Sequence, residues 1–98
     1  MNIVAVTACP TGIAHTYMAA EQLEKAGKKL GHAVKVETQG AMGIENELSR
    51  ADIDAAEAVI VAADIAIEGM ERFDRLKKVE VSVQAAIKDP EAIFAKIG

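Results

Sequence analysis

Residues 2–16 read NIVAVTACPTGIAHT, and they contain the only cysteine of the chain, Cys9. The residues from Asn2 to Ala8 are mostly apolar and often β-branched, which is typical of a strand buried on both faces. Small residues follow, and apolar side chains then recur at helical spacing from Gly12 to Leu30. We therefore predict a strand, a short loop and a helix, with Cys9 at the carboxyl end of the strand.

The rest of the chain alternates between strand and helix patterns. Such alternation at short spacing indicates right-handed βαβ units and a parallel sheet. The first and third strands are the most hydrophobic, so we expect the strand order 2-1-3-4, with the half-exposed second strand at an edge. The predicted fold class is α/β, a three-layer sandwich around a four-stranded parallel sheet of the flavodoxin or Rossmann type. Besides the first strand and helix, elements are predicted at 33–38 (strand), 49–56 (helix), 58–63 (strand), 70–76 (helix) and 79–81 (strand). Ser49 with Asp52 three residues later resembles a capping box, and Ser82 and Asp89 are expected to cap two last helices.

Length and composition narrow the class of protein. At 98 residues, of which 51% are hydrophobic, the chain is expected to form one domain, residues 1–98. The net charge is −4 and there is no basic run, so a nucleic-acid partner is not expected. No apolar stretch approaches the ~20 residues that span a bilayer, and Met1 leads directly into the first strand without a signal-peptide pattern. We expect a soluble, cytoplasmic protein that is not inserted in a membrane.

Cys9 lies where a parallel sheet of this order binds its ligands. The chain leaves the central strands in opposite directions, and ligands bind at that switch point, beyond the carboxyl ends of the strands. Backbone N–H groups and the helix dipole at the start of the following helix favour both a thiolate and a bound phosphate. We predict Cys9 as the nucleophile. The predicted phosphate-binding loop consists of Pro10, Thr11, Gly12, Ile13, Ala14, His15 and Thr16.

The spacing of this loop resembles that of cysteine-dependent phosphatases, with one change. Those enzymes have Cys, five residues, Arg and then Ser or Thr, whereas here His15 stands at the arginine position and Thr16 follows it. A guanidinium would stabilise the transition states of both thiolate phosphorylation and hydrolysis. Without it a phosphocysteine should persist, which suits a carrier that passes the phosphoryl group on.

Two other classes of function stay open from the residues alone. One is a cysteine phosphatase or arsenate reductase, against which the missing arginine argues. The other is a flavodoxin-like module that binds a nucleotide or flavin. Against that module stand the scarcity of aromatic side chains and the lack of both G-x-x-x-x-G-K-[ST] and G-x-G-x-x-G.

Three segments of the chain resemble one protein family. Residues 6–20, VTACPTGIAHTYMAA, are similar to the signature of the fructose-type IIB domains of the bacterial phosphoenolpyruvate-dependent sugar phosphotransferase system. Residues 34–40 and 59–64 resemble the second and third strands of that family with the loops that follow them. The resemblance extends roughly to Val83, and Gln39 stands where an arginine is common in the family.

The resemblance implies a role for each part of the loop. Cys9 would accept a phosphoryl group from a phosphohistidine on a IIA protein or domain. It would then donate the group to a fructose-like sugar bound by the membrane-embedded IIC permease. Residues 10–16 would form the binding loop, and neither a cofactor nor a metal ion is implied. The chain would thus be a phosphotransferase that is itself transiently phosphorylated.

The phosphohistidine donor and the sugar acceptor of such a carrier must both reach the thiol. We therefore expect Cys9 to be exposed at the rim of the sheet. We also expect it to be surrounded by an apolar patch suited to docking, with Ile13, Met18 and Met42 as its members.

Other polar side chains have alternative predicted roles. His15 is either a solvated residue of the first helical turn or a donor to the phosphoryl group. Asp64 either caps the turn that follows the third strand or orients a loop or a partner. Surface positions are expected for His32, Arg72 and Arg75.

Overall fold

The described part of the chain, residues 1–10 and 13–97 of a computed structural model, alternates strands with helices; of Ile13 only the backbone is described. The strands are β1 (Asn2–Ala8), β2 (Ala33–Gly40), β3 (Gly43–Glu45), β4 (Ala58–Ala63) and β5 (Lys77–Val81). The α-helices are α1 (Ile13–Lys29), α2 (Arg50–Ala55), α3 (Val83–Lys88) and α4 (Pro90–Ala95). A 3₁₀ helix (Met70–Phe73) occupies part of the predicted helix 70–76.

The strands form one mostly parallel sheet in the order β3-β2-β1-β4-β5. β1 pairs in parallel with β2 and with β4, and β4 pairs in parallel with β5. The predicted order of the four parallel strands is therefore confirmed. The predicted count of four is wrong, because β3 turns back from β2 and pairs with it antiparallel.

The additional strand also corrects the predicted edge position of the second strand. β3 pairs with Thr38, Gln39 and Gly40, so this end of β2 has a neighbour on both sides. All three residues of β3 are exposed, and Gly43 has a φ of 90°. A strand this short, with no buried side chain, has no alternation of apolar and polar residues by which it could be predicted.

Side chains of the sheet point alternately to two hydrophobic clusters, which gives the predicted three layers. On one side Ile3 and Ala5 of β1 pack with residues of α1, α3 and α4, including Leu23 and Phe94. On the other side Val4 and Val6 pack with Leu48, Ile53, Phe73 and Leu76. Helices thus cover both faces of the sheet, and its carboxyl edge is left for the site.

The helix ends follow local sequence signals. Ser49 and Asp52 form the predicted capping box of α2, in which each side chain accepts a hydrogen bond from the backbone N–H of the other. Ser82 and Asp89 cap α3 and α4 as predicted. Among the described residues, no helix is both long and apolar enough to cross a membrane.

Gly27 gives a test of how closely α1 packs on the sheet. A Cβ at this position would overlap Val34 Cγ2 and lie 3.2 Å from Phe94 Cζ. In an exposed helix, alanine in place of glycine stabilises by about 0.5–1 kcal/mol. Here Gly27→Ala should instead lower the free energy of unfolding by about 1–3 kcal/mol, because the added methyl overpacks the interface.

Urea denaturation measures this change. The control is Lys28→Ala at the neighbouring exposed position, which should change stability by no more than about 0.5 kcal/mol. A gain in stability for Gly27→Ala would contradict close packing between α1 and β2.

Candidate functional site

Cys9 follows the carboxyl end of the central strand. The last residue of β1, Ala8, is registered with Gln39 of β2 on one side and with Ala63 of β4 on the other. α1 begins at Ile13, so Cys9 and Pro10 occupy the turn between strand and helix. This is the switch point of the sheet, as predicted. Of the predicted binding loop, Thr11, Gly12 and the side chain of Ile13 lie outside the described residues.

The Cys9 side chain is buried, which corrects the prediction that it is exposed at the rim. Only 9% of the residue is accessible, and it packs within the hydrophobic cluster that includes Ala5 and Ala62. A residue that directly follows a strand with neighbours on both edges keeps much of the burial of that strand. The thiol is therefore approached through a pocket and not across an open rim.

This pocket, the Cys9 pocket, has a volume of about 330 Å³ and lies between the β2–β3 hairpin and the segment after β4. Among its described lining residues Glu68 alone carries a charge, and none is a lysine or arginine. An anion placed here would depend on backbone N–H groups and neutral polar groups. The described lining residues are Cys9, Pro10, Gln39, Gly40, Ala41, Gly43, Ile44, Ile65, Ala66 and Glu68.

His15 contacts the thiol from the first turn of α1. Its Nδ1 lies 4.0 Å from Cys9 Sγ, while the residue as a whole is exposed. The contact places a ring nitrogen of His15 beside the thiol. Ala14, beside it in the first turn of α1, is exposed.

Thr16 is the last residue of the predicted phosphate-binding loop. Thr16 is buried, its carbonyl accepts a hydrogen bond of 3.1 Å from Thr7 Oγ1, and its own Oγ1 has no hydrogen-bond partner. It lines a small cavity with Thr38, Gly40 and other residues. This hydroxyl therefore forms no hydrogen bond to the thiol.

Apolar side chains are exposed in the lining of the Cys9 pocket and on the elements beside it. Met42 is 72% exposed at the tip of the β2–β3 hairpin, and Met18 on α1 is 47% exposed. Ile44 and Ile65 are exposed and line the pocket. The expected exposure of Met18 and Met42 is confirmed, and we call Met18, Met42, Ile44 and Ile65 the apolar rim.

An ion pair behind the pocket was missed by the sequence analysis. The carboxylate of Glu37 on β2 is fully buried, and Arg72 donates to its two oxygens over 2.8 and 3.0 Å. The Leu48 backbone N–H donates a further hydrogen bond of 3.0 Å to Glu37. Arg72 has only 23% of its side chain exposed, so its predicted surface position is wrong, whereas Arg75 is exposed as predicted.

The environment of Glu37 keeps this pair ionised. Burial raises the pKa of Glu37, but hydrogen bonds from Arg72, Gln39 and the Leu48 N–H outweigh burial, so that the pKa lies below its usual value. The hydrogen bond to Glu37 in turn raises the pKa of Arg72. Glu37 is a charged residue in the buried half of β2, and this is the one signal in the sequence that could have indicated a paired cation.

Asp64 and His32 have structural contacts. Asp64 Oδ1 accepts a hydrogen bond of 3.2 Å from the Val83 N–H at the start of α3, so it caps that helix and not the turn directly after β4. His32 is half-buried and stacks on the Phe94 ring with centroids 5.6 Å apart. It lies beside Met1, at the opposite end of β1 from Cys9.

Comparison with known families assigns the chain. The family described as "PTS system, Lactose/Cellobiose specific IIB subunit" matches residues 4–96. The chain belongs to this family of IIB subunits. The match continues past Val83, where the resemblance noted in the sequence was expected to fade.

Relatives of this IIB chain bear the names of sugar phosphotransferase components. It is 54% identical over 96 residues to the "PTS system fructose-like EIIB component 2" of Escherichia coli (strain K12), covering 98% of this chain and 91% of that one. It is 55% identical over 93 residues to the "PTS system 2-O-alpha-mannosyl-D-glycerate-specific EIIABC component" of the same strain, covering 95% of this chain and 14% of that one. The IIB chain is thus a fructose-like phosphotransferase component of a sugar phosphotransferase system.

A solved structure agrees with this assignment. A domain from a fructose-specific IIABC component of Borrelia burgdorferi matches the IIB chain with a TM-score of 0.92 and 46% sequence identity. The match covers 97% of this chain and 90% of that one. The α/β fold of the IIB chain is therefore that of a solved phosphotransferase-system domain.

The Glu37–Arg72 pair predicts how the stability of the IIB chain depends on pH. The folded-state pKa of Glu37 lies below its unfolded value of about 4.3. The ionised carboxylate therefore makes its full contribution to the free energy of unfolding when the pH is above about 4.3. The contribution is lost as the pH falls through the folded-state pKa. Glu37→Gln should lower the free energy of unfolding at neutral pH and flatten its decline below about pH 5.

Urea unfolding of both proteins over a series of pH values measures this difference. Asp52→Asn is the matched control, because hydrogen bonds from Ser49 also lower the pKa of Asp52 but the carboxylate lies nearer the surface. This control should keep most of the acid-dependent loss of stability. An equally steep decline for Glu37→Gln and the unsubstituted chain would show that the pair contributes nothing to the acid response.

Proposed function

We propose that this IIB chain is a phosphoryl carrier in which Cys9 accepts a phosphoryl group and passes it to a sugar. The observation that carries the proposal is the position of the thiol between the carboxyl end of β1 and the start of the 17-residue helix α1, in contact with an open pocket. Backbone N–H groups at such a helix start favour both the thiolate and a bound phosphoryl group. Residues 10–16 are proposed as the phosphate-binding loop, with His15 as a polar contact.

The proposed reaction consists of two displacements at phosphorus. In the first, the thiolate of Cys9 attacks the phosphorus of a phosphohistidine, so that an S–P bond forms and the P–N bond breaks. The electron pair of that bond stays on the imidazole nitrogen of the donor. In the second, a sugar hydroxyl oxygen attacks the same phosphorus, the S–P bond breaks and the thiolate is restored. The hydroxyl proton leaves to solvent or to a base on the sugar-binding protein.

The composition of the pocket supports a carrier over a phosphatase. A phosphatase needs a cation that stabilises hydrolysis of its phosphocysteine, and among the described residues that line the Cys9 pocket there is no lysine or arginine. His15 occupies the loop position at which the arginine of a cysteine phosphatase stands. Water attack on the phosphocysteine should therefore be slower than transfer to a bound sugar.

Partners follow from the names of the relatives. Several combine IIB with other components in one chain, as EIIABC or EIIBC. We propose a IIA protein as the phosphohistidine donor and a IIC membrane permease as the component that holds the sugar. The carrier would act on the cytoplasmic side, with a fructose-like sugar as acceptor. Two relatives of nearly equal identity are named for different sugars, one for fructose-like sugars and one for 2-O-alpha-mannosyl-D-glycerate. Because the IIB sequence does not separate them, we propose that the IIC component selects the sugar.

Replacement of the thiol tests the proposed acceptor. Cys9→Ser should reduce phosphoryl acceptance from a phosphorylated IIA protein below detection, because a hydroxyl supplies far less nucleophilic anion at neutral pH than a thiol. The measurement is the intact mass of the IIB chain after incubation with the donor, followed by peptide mapping.

His15→Ala and His32→Ala are the controls for the modified residue. Both variants should still acquire a phosphoryl group on Cys9, although His15→Ala should do so more slowly. A phosphoryl group mapped to His15 or His32 in the unsubstituted chain would refute the proposed role of Cys9.

The apolar rim is proposed as the surface that docks IIA. Met18→Glu or Met42→Glu should slow phosphoryl transfer from IIA by about tenfold or more, because a charge is introduced into a small, weak interface. The midpoint of thermal unfolding should hardly change, since both side chains are exposed.

Leu30→Glu provides the matched control for a charge on an exposed apolar side chain. Leu30 is 43% exposed, close to the 47% of Met18, but it follows the far end of α1. Transfer to this variant should be unaltered. Unaltered transfer in the Met18 and Met42 variants as well would exclude the apolar rim from docking.

A further inference from the structure

One wall of the Cys9 pocket is formed by a segment without regular secondary structure. We call residues 64–69, which connect β4 to the 3₁₀ helix, the wall segment; Ile65, Ala66 and Glu68 of this segment line the pocket. A segment without helix or strand hydrogen bonds depends on other groups to hold its backbone in place. The contacts of Glu68 and Gly69 show which groups do so.

Gln39 holds the backbone of Glu68 through two hydrogen bonds. Its Oε1 accepts from the Glu68 N–H over 2.8 Å, and its Nε2 donates to the Glu68 carbonyl over 3.0 Å. The carboxamide thus pairs with the N–H and the C=O of one residue, as a residue of a neighbouring strand would. Gln39 is buried and itself lines the Cys9 pocket, in register with Ala8, the residue that precedes the nucleophile.

The buried carboxylate of Glu37 orients this carboxamide. Gln39 Nε2 also donates to Glu37 Oε2 over 2.8 Å, which identifies the nitrogen end of the amide. Arg72, paired with the same carboxylate, donates from Nε to the Gly69 carbonyl over 2.7 Å and from Nη2 to the Glu68 carbonyl over 3.1 Å. Two side chains that share one buried carboxylate therefore both hold Glu68, and Arg72 also holds Gly69.

We propose that Gln39 is a positioning residue, which fixes the wall segment of the Cys9 pocket and so sets access to the thiol and the geometry of phosphoryl transfer. The part of the proposal that concerns transfer rests on the function proposed above. Gln39 forms no bond to the reacting group in this role. It acts through the backbone of Glu68, with Glu37 and Arg72 as its support.

Gln39→Met is the variant that removes these hydrogen bonds with the least other change. Methionine is close to glutamine in length and volume, and it can neither donate nor accept in this setting. The buried carboxylate of Glu37 keeps both hydrogen bonds from Arg72 and that from the Leu48 N–H, so the variant should fold. The Glu68 N–H, in contrast, loses its acceptor.

Three measurements on Gln39→Met test the proposal. Amide hydrogen exchange at Glu68 should accelerate about tenfold, whereas Val6 in β1 should keep its protection. Alkylation of Cys9 by iodoacetamide should accelerate severalfold, because the wall segment no longer limits access to a thiol that is nine-tenths buried. Phosphoryl transfer from IIA should slow by about tenfold in kcat/KM, because the reacting groups are less well aligned.

Thr38→Val is the matched control on the same strand. Thr38 is equally buried, but its Oγ1 has no hydrogen-bond partner, and valine has the same shape. This variant should leave exchange at Glu68, alkylation and transfer unchanged. If Gln39→Met fails to fold, Gln39→Asn repeats the measurements, because asparagine keeps a carboxamide but is one methylene shorter and cannot form both hydrogen bonds to the Glu68 backbone.

The outcomes separate this proposal from the proposed function. Faster exchange at Glu68 with unchanged alkylation would reduce Gln39 to a structural role and overturn the proposal, as would unchanged exchange at Glu68. If the unsubstituted chain accepts no phosphoryl group, the proposed function fails. Exchange and alkylation then still decide whether Gln39 positions the wall of the pocket.

Discussion

The parallel pairing of β1 on both of its edges is the constraint on which the site depends. β2 lies along one edge and β4 along the other, and each face of β1 contributes to one of the two hydrophobic clusters. A strand with neighbours on all sides has little freedom to shift its register. Cys9, the first residue beyond it, is therefore held at the carboxyl edge of the sheet, close to the start of α1. Such rigid support keeps a reacting group in place.

The distribution of charge at this end of the molecule fits the proposed carrier, whose phosphoryl group is passed on and not hydrolysed. Arg72 lies behind the Cys9 pocket, where it is paired with Glu37, and Glu68 is the charged residue among the described lining groups. In the proposed function a phosphoryl group on Cys9 would thus be held by backbone N–H groups and His15. The absence of a guanidinium from the described lining favours onward transfer, because neither the bound state nor hydrolysis is strongly stabilised.

The elements that could be predicted are those whose signals are local. β1 and β4 were predicted with the bounds that the structure shows, because strands buried on both faces are continuous apolar runs. Ser49, Ser82 and Asp89 were identified as caps because the groups that they bind lie three residues away. β3 was missed, since its three exposed residues owe their strand geometry to pairing with β2 and not to their own pattern.

The sequence by itself determined that Cys9 ends a buried strand, that a helix follows, and that the chain resembles IIB subunits. Only the tertiary structure decided that Cys9 is buried and that the buried Thr16 hydroxyl has no hydrogen-bond partner. It also decided that Arg72 pairs with Glu37, which lies 35 residues earlier in the chain. The physical reason is the range of the interactions: strand and helix patterns arise among neighbouring residues. Burial and ion pairing at the site depend instead on how segments that are distant in the sequence pack against one another.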